Sequence, residues 1–237
     1  MSFYSEFALC YEQIFPFREG VYSFLREYAP PSGGAVLDAG CGTGHYCGRF
    51  FRDGYRVTGI DLDPKMIEVA SANWPDVSFR CMDISSLGSL QPSFHLIYSI
   101  GNVLAYLPSM GLAPFLSTVY DALESGGFWL MQVVNWDYLL TQGEYTFPVK
   151  IIDNGAMEFH RCYSLVSPEE AVFEVELFQQ GKKVFRDRSR LYPVTSESYL
   201  RLHEEAGFVA EGLYPGFERA LFSRHQNSGL VMVFRKP

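Results

Sequence analysis

Gly40, Gly42 and Gly44 follow directly on the apolar residues Ala35, Val36 and Leu37, in the run VLDAGCGTGHY. A short, continuously apolar run reads as a strand buried on both faces, as in a parallel sheet. Glycines placed straight after it let the chain turn tightly and bring amide groups close to a ligand, where side chains would collide. A second strand is expected over residues 56–60, and Asp61 closes it. That carboxylate stands about 20 residues beyond the first glycine, where it can accept hydrogen bonds from ribose hydroxyls. The two features together describe a nucleoside site. Taken singly, each has a plainer reading: the glycines as an ordinary strand-to-helix connection, and Asp61 as a helix N-cap. Asp63 followed by Pro64 is the better cap and first-turn pair, which leaves Asp61 for another role.

Spacing narrows the nucleoside. A dinucleotide fingerprint asks for a third glycine where His45 stands, and Asp38 lies two residues before Gly40. An acid at the lip of the turn suits a cationic ligand, because it would repel a pyrophosphate. The ordered segments LDAGCGTG, GIDLDPKMI, CMDISSL, FHLIYSIGNVLAYLP and LESGGFWLMQV, with the tail SESYLRLHEEAGFVAEGLYPGF and GLVMVFRKP, together resemble class I S-adenosylmethionine-dependent methyltransferases. The resemblance spans most of the chain outside residues 136–190.

The resemblance implies S-adenosylmethionine as cofactor, held by Asp38, Gly40, Cys41, Gly42 and Gly44 at the first turn. It implies Asp61 as the ribose acid with Leu62 beside it, Met66 toward the adenine, and Asp83 on the adenine amino group between Met82 and Ile84. Ser99 and Ile100 would complete the wall at the exit of the fourth strand. Read from the residues alone, Asp83 could equally cap a short helix from Ser85, and Met66 and Met82 could be core. The segment IGNVLAYL is locally similar to glycine and sarcosine N-methyltransferases. Asn102 within it either meets a substrate amine or carboxylate or caps the helix from Val103. Tyr11 is a further candidate for contact with the methyl acceptor.

The elements that must position these residues alternate strand and helix from Ala35 to Asn135, which implies an α/β, Rossmann-like, doubly wound and mostly parallel sheet. Two helices are expected ahead of it, over residues 2–15 and 17–28, with Pro16 in the first turn of the second. In resembling enzymes this segment folds over the cofactor, so Tyr4, Tyr11 and Phe15 either wall the site or pack in the core.

From Tyr145 to Pro193 the pattern turns to period two, with turn signals at Asp153-Asn154-Gly155, Ser167-Pro168 and Gln180-Gly181-Lys182. This reads as an inserted antiparallel β lid, residues 136–190, on a core made of residues 1–135 and 191–237. Within it, Glu174 and Glu176 alternate with apolar residues and face an alternation of Arg186, Arg188 and Arg190. Those charges form either a cross-strand ladder on a solvated face or a pocket for a substrate acid, in which Arg190 would be the contact.

A chain of 237 residues, 48% hydrophobic, can bury one sizeable core. No apolar run reaches the length of a membrane span and no secretory leader is legible, so a cytoplasmic enzyme is expected. Cys10, Cys41, Cys47, Cys81 and Cys162 form no C-x-x-C pair, and the histidines lack ligand spacing, so neither disulfides nor a metal are expected. The net charge of -8 argues against nucleic acid as a partner. The expected activity is methyl transfer to a small molecule, with an amine nitrogen favoured because an amine need only arrive unprotonated, whereas a hydroxyl calls for a base or a metal. Small-molecule O-methylation, a catalytically silent cofactor-binding partner, and a nucleotide-dependent oxidoreductase are the alternatives.

Overall fold

The structure, a computed structural model, describes residues 8, 11–31, 33–90 and 93–237. Tyr4, Cys10 and most of the expected 2–15 helix fall outside these residues. In chain order the core runs α1 (Tyr11–Ile14), α2 (Glu19–Arg26), β1 (Ala35–Ala39), α3 (His45–Arg52), β2 (Arg56–Asp61), α4 (Pro64–Asn73), β3 (Ser78–Cys81), β4 (Phe94–Ser99), α5 (Ser109–Ala122), β5 (Leu123–Val134) and α6 (Trp136–Gln142). An insertion of five strands follows, then α7 (Ser196–Glu205), β11 (Val209–Tyr214) and β12 (Gly229–Arg235). The second N-terminal helix begins at Glu19, with Arg18 as N-cap, so Pro16 lies ahead of it rather than in its first turn as expected.

The main sheet has seven strands in the order β11-β12-β5-β4-β1-β2-β3. β1 pairs in parallel with both β2 and β4, whereas β12 runs antiparallel to β5. The strand order reverses at β1, so the crevice beyond the ends of β1, β2 and β4 is where an open α/β sheet takes a ligand. All five residues of β1 are buried, and they feed two cores. Val36 packs with Tyr22, Phe50 and Tyr98 on one face, while Leu37 and Ala39 pack with Phe115, Trp129 and Tyr199 on the other. This alternation on a strand without a polar face is the direct result of covering the sheet from both sides.

His203 belongs to the second of these cores rather than to chemistry. Trp129 Nε1–H donates to His203 Nε2 at 2.9 Å, the other ring nitrogen lies 2.6 Å from the Tyr199 carbonyl, and the ring stacks on Phe234 at 3.7 Å. That pattern fixes the neutral tautomer with its proton on Nδ1, and burial pulls the imidazole down to about 3.

The insertion forms a separate antiparallel sheet of β6 (Tyr145–Thr146), β7 (Lys150–Ile152), β8 (Met157–Ser164), β9 (Ala171–Gln179) and β10 (Lys182–Leu191). Its order is β10-β9-β8-β6, with β7 also on β8. One face buries Ile152, Phe159, Val175 and Leu177 around Ile14 of α1. On the opposite, solvated face the expected charge ladder is present. Arg186 and Arg188 reach Glu174 at 2.7 and 3.0 Å, Lys183 reaches Glu176 at 2.6 Å, and together with Ser164 the arginines hold the Glu174 carboxyl down at about 2.

α1 touches both sheets. The Tyr11 ring lies over Gly42, and Thr43 Oγ1 donates to Glu12 at 3.2 Å. Toward the insertion, Lys150 Nζ donates to the Ile14 carbonyl and the Asp153 amide to Gln13 Oε1. α4, which begins at the edge of the crevice, is started by Asp63, whose Oδ1 accepts from the Lys65 and Met66 amides at 2.9 and 3.3 Å, with Pro64 in the first turn. Asp63→Ala strips this cap and should lower the unfolding free energy by about 1 kcal/mol in urea titration.

Candidate functional site

A cavity of about 520 Å³ opens at the carboxyl ends of β1, β2 and β4. Its core wall is Gly40, Gly42, Asp61, Leu62, Met66, Asp83, Ile84 and Ile100, all of them positions singled out in the sequence. Tyr11 from α1 lines it as well. Beneath and beside it stand Asp38, Cys41, Gly44, Met82 and Ser99, which do not line the cavity. Ser99 Oγ donates to the Ala39 carbonyl at 2.6 Å, tying the end of β4 to that of β1. Met82 is half-buried against the core.

The glycine turn works differently from the expectation. The amides of Gly40 and Cys41 both donate to the Ile60 carbonyl, at 2.8 and 2.9 Å, and that of Gly44 to Cys41. The Gly42 amide donates to Asp61 Oδ2 at 2.9 Å. These four donors are spent on the protein. Closeness is what excludes side chains here. At Gly40, φ is 97° and a Cβ would come within 2.5 Å of Val103; at Gly42, φ is 54° and a Cβ would press on the Tyr11 ring at 3.3 Å.

Asp61 is held by two amides, Gly42 on Oδ2 and Asp63 on Oδ1, each at 2.9 Å. Burial raises its pKa and these donors oppose the rise. A carboxylate fixed in this way keeps lone pairs for a diol at the cavity wall. Asp83 does both things expected of it: its Oδ1 accepts from the Ser85 amide at 2.8 Å, capping a short 3-10 turn (Ile84–Ser89), and it lines the cavity. Burial, with the charges of Asp61 and Asp38 nearby, raises the Tyr11 phenol far above its ordinary value. That shift favours the phenol as a hydrogen-bond donor.

Residues 36–127 match the family described as "Methyltransferase domain". That segment is a methyltransferase domain of the class I S-adenosylmethionine-dependent type. A ubiquinone biosynthesis O-methyltransferase of Paracidovorax citrulli (strain AAC00-1) is 28% identical over 174 residues, 70% of this chain and 69% of that protein. An S-adenosylmethionine-dependent methyltransferase from Clostridium acetobutylicum ATCC 824 superposes with a TM-score of 0.81 at 16% identity, over 99% of both chains. An amino pentose methyltransferase from Micromonospora echinaspora does so at 0.71 and 17%, over 92% of this chain and 89% of that one. At such identities the structural likeness is one of fold.

The residues present fit the family's cofactor. The Asp38 carboxyl, 2% exposed at the end of β1, leaves Oδ1 without a hydrogen-bond partner, while Cys47 Sγ donates to Oδ2 at 3.5 Å. Burial pushes this carboxyl up to about 7, against the pull of the Tyr98 phenol and the Cys47 thiol. An under-satisfied acid below the turn is eased by a cationic ligand above it. Gly101 also borders the cavity, with its amide donated to Gln132 Oε1 at 2.8 Å.

Two substrate candidates lie elsewhere than expected. Arg190 does not line this cavity; it is exposed and bound to Glu170 at 2.6 Å, because its strand turns the arginines outward. Asn102 neither lines the cavity nor caps the following 3-10 turn (Val103–Tyr106) with its side chain. Its Oδ1 accepts from the Val134 amide at 3.0 Å and its Nδ2 donates to the Tyr163 hydroxyl at 3.4 Å, a brace between β5 and the insertion. The glycine/sarcosine similarity rested on that segment, and this geometry lends it no support.

Residues that the sequence reading passed over complete the wall: Val103, Tyr106 and Leu107 after β4, and Asp187 and Ser189 from β10. The alternation Arg186-Asp187-Arg188-Ser189-Arg190 carried the signal for the last two, since outward arginines require inward neighbours. Asp38 supplies a pH test. A folded-state pKa of about 7 against 3.8 unfolded means that stability is lost as pH rises through this interval and levels off above it. Asp38→Asn should therefore be more stable than the parent by a margin that grows from pH 4 to 7 and is flat beyond, measured by urea denaturation without cofactor.

Proposed function

We propose that this protein transfers the methyl group of S-adenosylmethionine to a small molecule, at an amine nitrogen. The observation that carries the reading is a single cavity shared by the Asp61 clamp and the inserted sheet: Asp61 and Asp83 of the core line it, and so do Asp187 and Ser189 of β10. A volume of about 520 Å³ suits a nucleoside cofactor together with a small acceptor.

Held along Gly40, Gly42, Asp61 and Asp83, S-adenosylmethionine would supply a methyl group on a positive sulfur, a leaving group that needs no acid to help it depart. The chain's own work is then to align, to enclose and to accommodate charge. Asp61 fixes the ribose, Met66 and Ile84 present apolar surface to the adenine, and Tyr11 closes the side over Gly42. The inserted sheet acts as the lid that keeps water from the reacting carbon.

Nitrogen is favoured because no histidine, lysine or arginine is among the described residues lining the cavity, and the raised Tyr11 phenol is favoured as a donor. A primary or secondary amine needs no strong base once it has lost its proton to water. Two of the structural neighbours, the amino pentose enzyme and a sugar N-methyltransferase from Streptoalloteichus sp. ATCC 53650, carry amine chemistry in their names. The relative named an O-methyltransferase keeps a hydroxyl acceptor as the second reading.

One assay separates the readings. Incubation with S-adenosylmethionine and matched sets of amines, phenols and alcohols should release S-adenosylhomocysteine with amines; release only with hydroxyl compounds would move the acceptor atom to oxygen, and none at all would leave a silent binding module. Asp61→Ala should weaken S-adenosylhomocysteine binding at least tenfold by calorimetry, whichever acceptor is used. Unchanged affinity would remove Asp61 from the site.

A further inference from the structure

We infer that Arg161 and Lys150, on the face of the inserted sheet that packs against α1, form a recognition site for a small oxyanion, a carboxylate or a phosphate. The inference goes beyond the methyl-transfer reading and stands without it.

Register puts the two cations together. In β8, Phe159, Arg161 and Tyr163 share one face, on which Phe159 and Tyr163 are buried. β7 places Lys150 opposite Phe159, so Lys150 stands diagonal to Arg161 on that face, at a spacing of roughly 7–8 Å that long side chains close. Phe15, which follows α1, meets both: its ring centroid lies 5.5 Å from the Arg161 guanidinium carbon and 4.9 Å from Lys150 Nζ. The guanidinium carbon is also 4.6 Å from the centre of the Phe147 ring. Arg161, Lys150, Phe15 and Phe147 are all half-buried, so the cluster keeps a side open to solvent.

What the cluster lacks is an acid. On the outer face, Arg186, Arg188 and Arg190 of β10 each hold a glutamate. Arg161 has no carboxylate partner among the described residues, and its Nε is buried without a hydrogen bond. Lys150 gives one of its three hydrogens to the Ile14 carbonyl. Burial lowers the pKa of both groups, and the charges of Arg161 and Arg18 lower that of Lys150 further. Ring contacts ease a half-buried cation, but they give the guanidinium's fork of N–H donors no oxygen to bind. A carboxylate or phosphate supplies that oxygen pair and cancels the repulsion between the two cations. The site also has a link to the cavity, because the Phe15 ring lies 5.1 Å from that of Tyr11, which lines it. The oxyanion is either an acid group on the methyl acceptor, reaching past Tyr11, or a separate small molecule; the recognising chemistry is the same.

The test uses the full chain with inorganic phosphate and succinate as probes, and chloride at equal ionic strength as the reference. Calorimetry should detect binding of at least one probe to the parent. Arg161→Gln should weaken it at least tenfold and Lys150→Gln by a smaller factor, whereas Arg188→Gln, on the outer face, should leave it within about twofold. The urea midpoint of the parent should rise with the bound probe and that of Arg161→Gln should not, a gain that packing alone would not produce. Should the glutamine variant fail to fold, Arg161→Lys, which keeps the charge and loses the fork, carries the same comparison. Heats equal to chloride for both probes, or undiminished binding in the Arg161 variant, would overturn the proposal. Two further arms name the source, and either result upholds the site. A KM increase in Arg161→Gln confined to acceptors that bear an acid group assigns it to the acceptor. A probe-dependent change in S-adenosylhomocysteine affinity, present in the parent and absent in the variant, assigns it to a separate anion.

Discussion

The Asp61 carboxylate, clamped between the Gly42 and Asp63 amides, is the interaction on which the site is built. It joins three pieces that are separate in sequence: the glycine turn after β1, the tip of β2 and the start of α4. Each oxygen takes one main-chain donor, so the carboxylate cannot rotate without leaving a buried amide unpaired, a loss of the order of 1–3 kcal/mol. The Gly40 and Cys41 amides, both on the Ile60 carbonyl, brace the same junction one residue earlier. Together they make a turn in which the amides of Gly40, Cys41, Gly42 and Gly44 are engaged within the protein. What the turn offers a ligand is bare backbone and a rigid acid.

That arrangement explains why the acids of the site behave differently. Asp61 is buried yet doubly supported by amides, and Asp63 and Asp83 are engaged as caps while still bordering the cavity. Asp38 has the Cys47 thiol as donor and the Tyr98 phenol nearby, no main-chain amide, and burial carries it up to about 7. The site is thus a row of carboxylates at graded levels of satisfaction, a pattern that suits a ligand whose charge is positive.

Much of this was legible in the sequence, and for identifiable reasons. Strand ends, the glycine turn, the Asp63-Pro64 cap and the antiparallel insertion depend on local chemistry and on periods of 2 and 3.6 residues, which a single chain displays directly. The Glu174–Arg186 ladder was readable from the same alternation. What failed depended on direction. The alternation in β10 left a solvated ladder and an acid pocket both open, and Arg190, the contact in the second of these, lies on the outer face with Glu170. Asn102 was misjudged because its true partners, the Val134 amide and the Tyr163 hydroxyl, lie 32 and 61 residues away. The direction of the turn's amides was hidden likewise, since only the paired strand β2 shows that Ile60 takes them.

The short helix α1 carries a mechanical consequence. Its four residues give Tyr11 to the glycine turn, Glu12 to Thr43, Gln13 to Asp153 and Ile14 to the apolar centre of the smaller sheet. A segment bolted at once to both layers cannot swing aside for one ligand without loosening its hold on the other layer. Displacing α1 from the glycine turn would therefore also break its contacts with Asp153 and with the apolar centre of the smaller sheet.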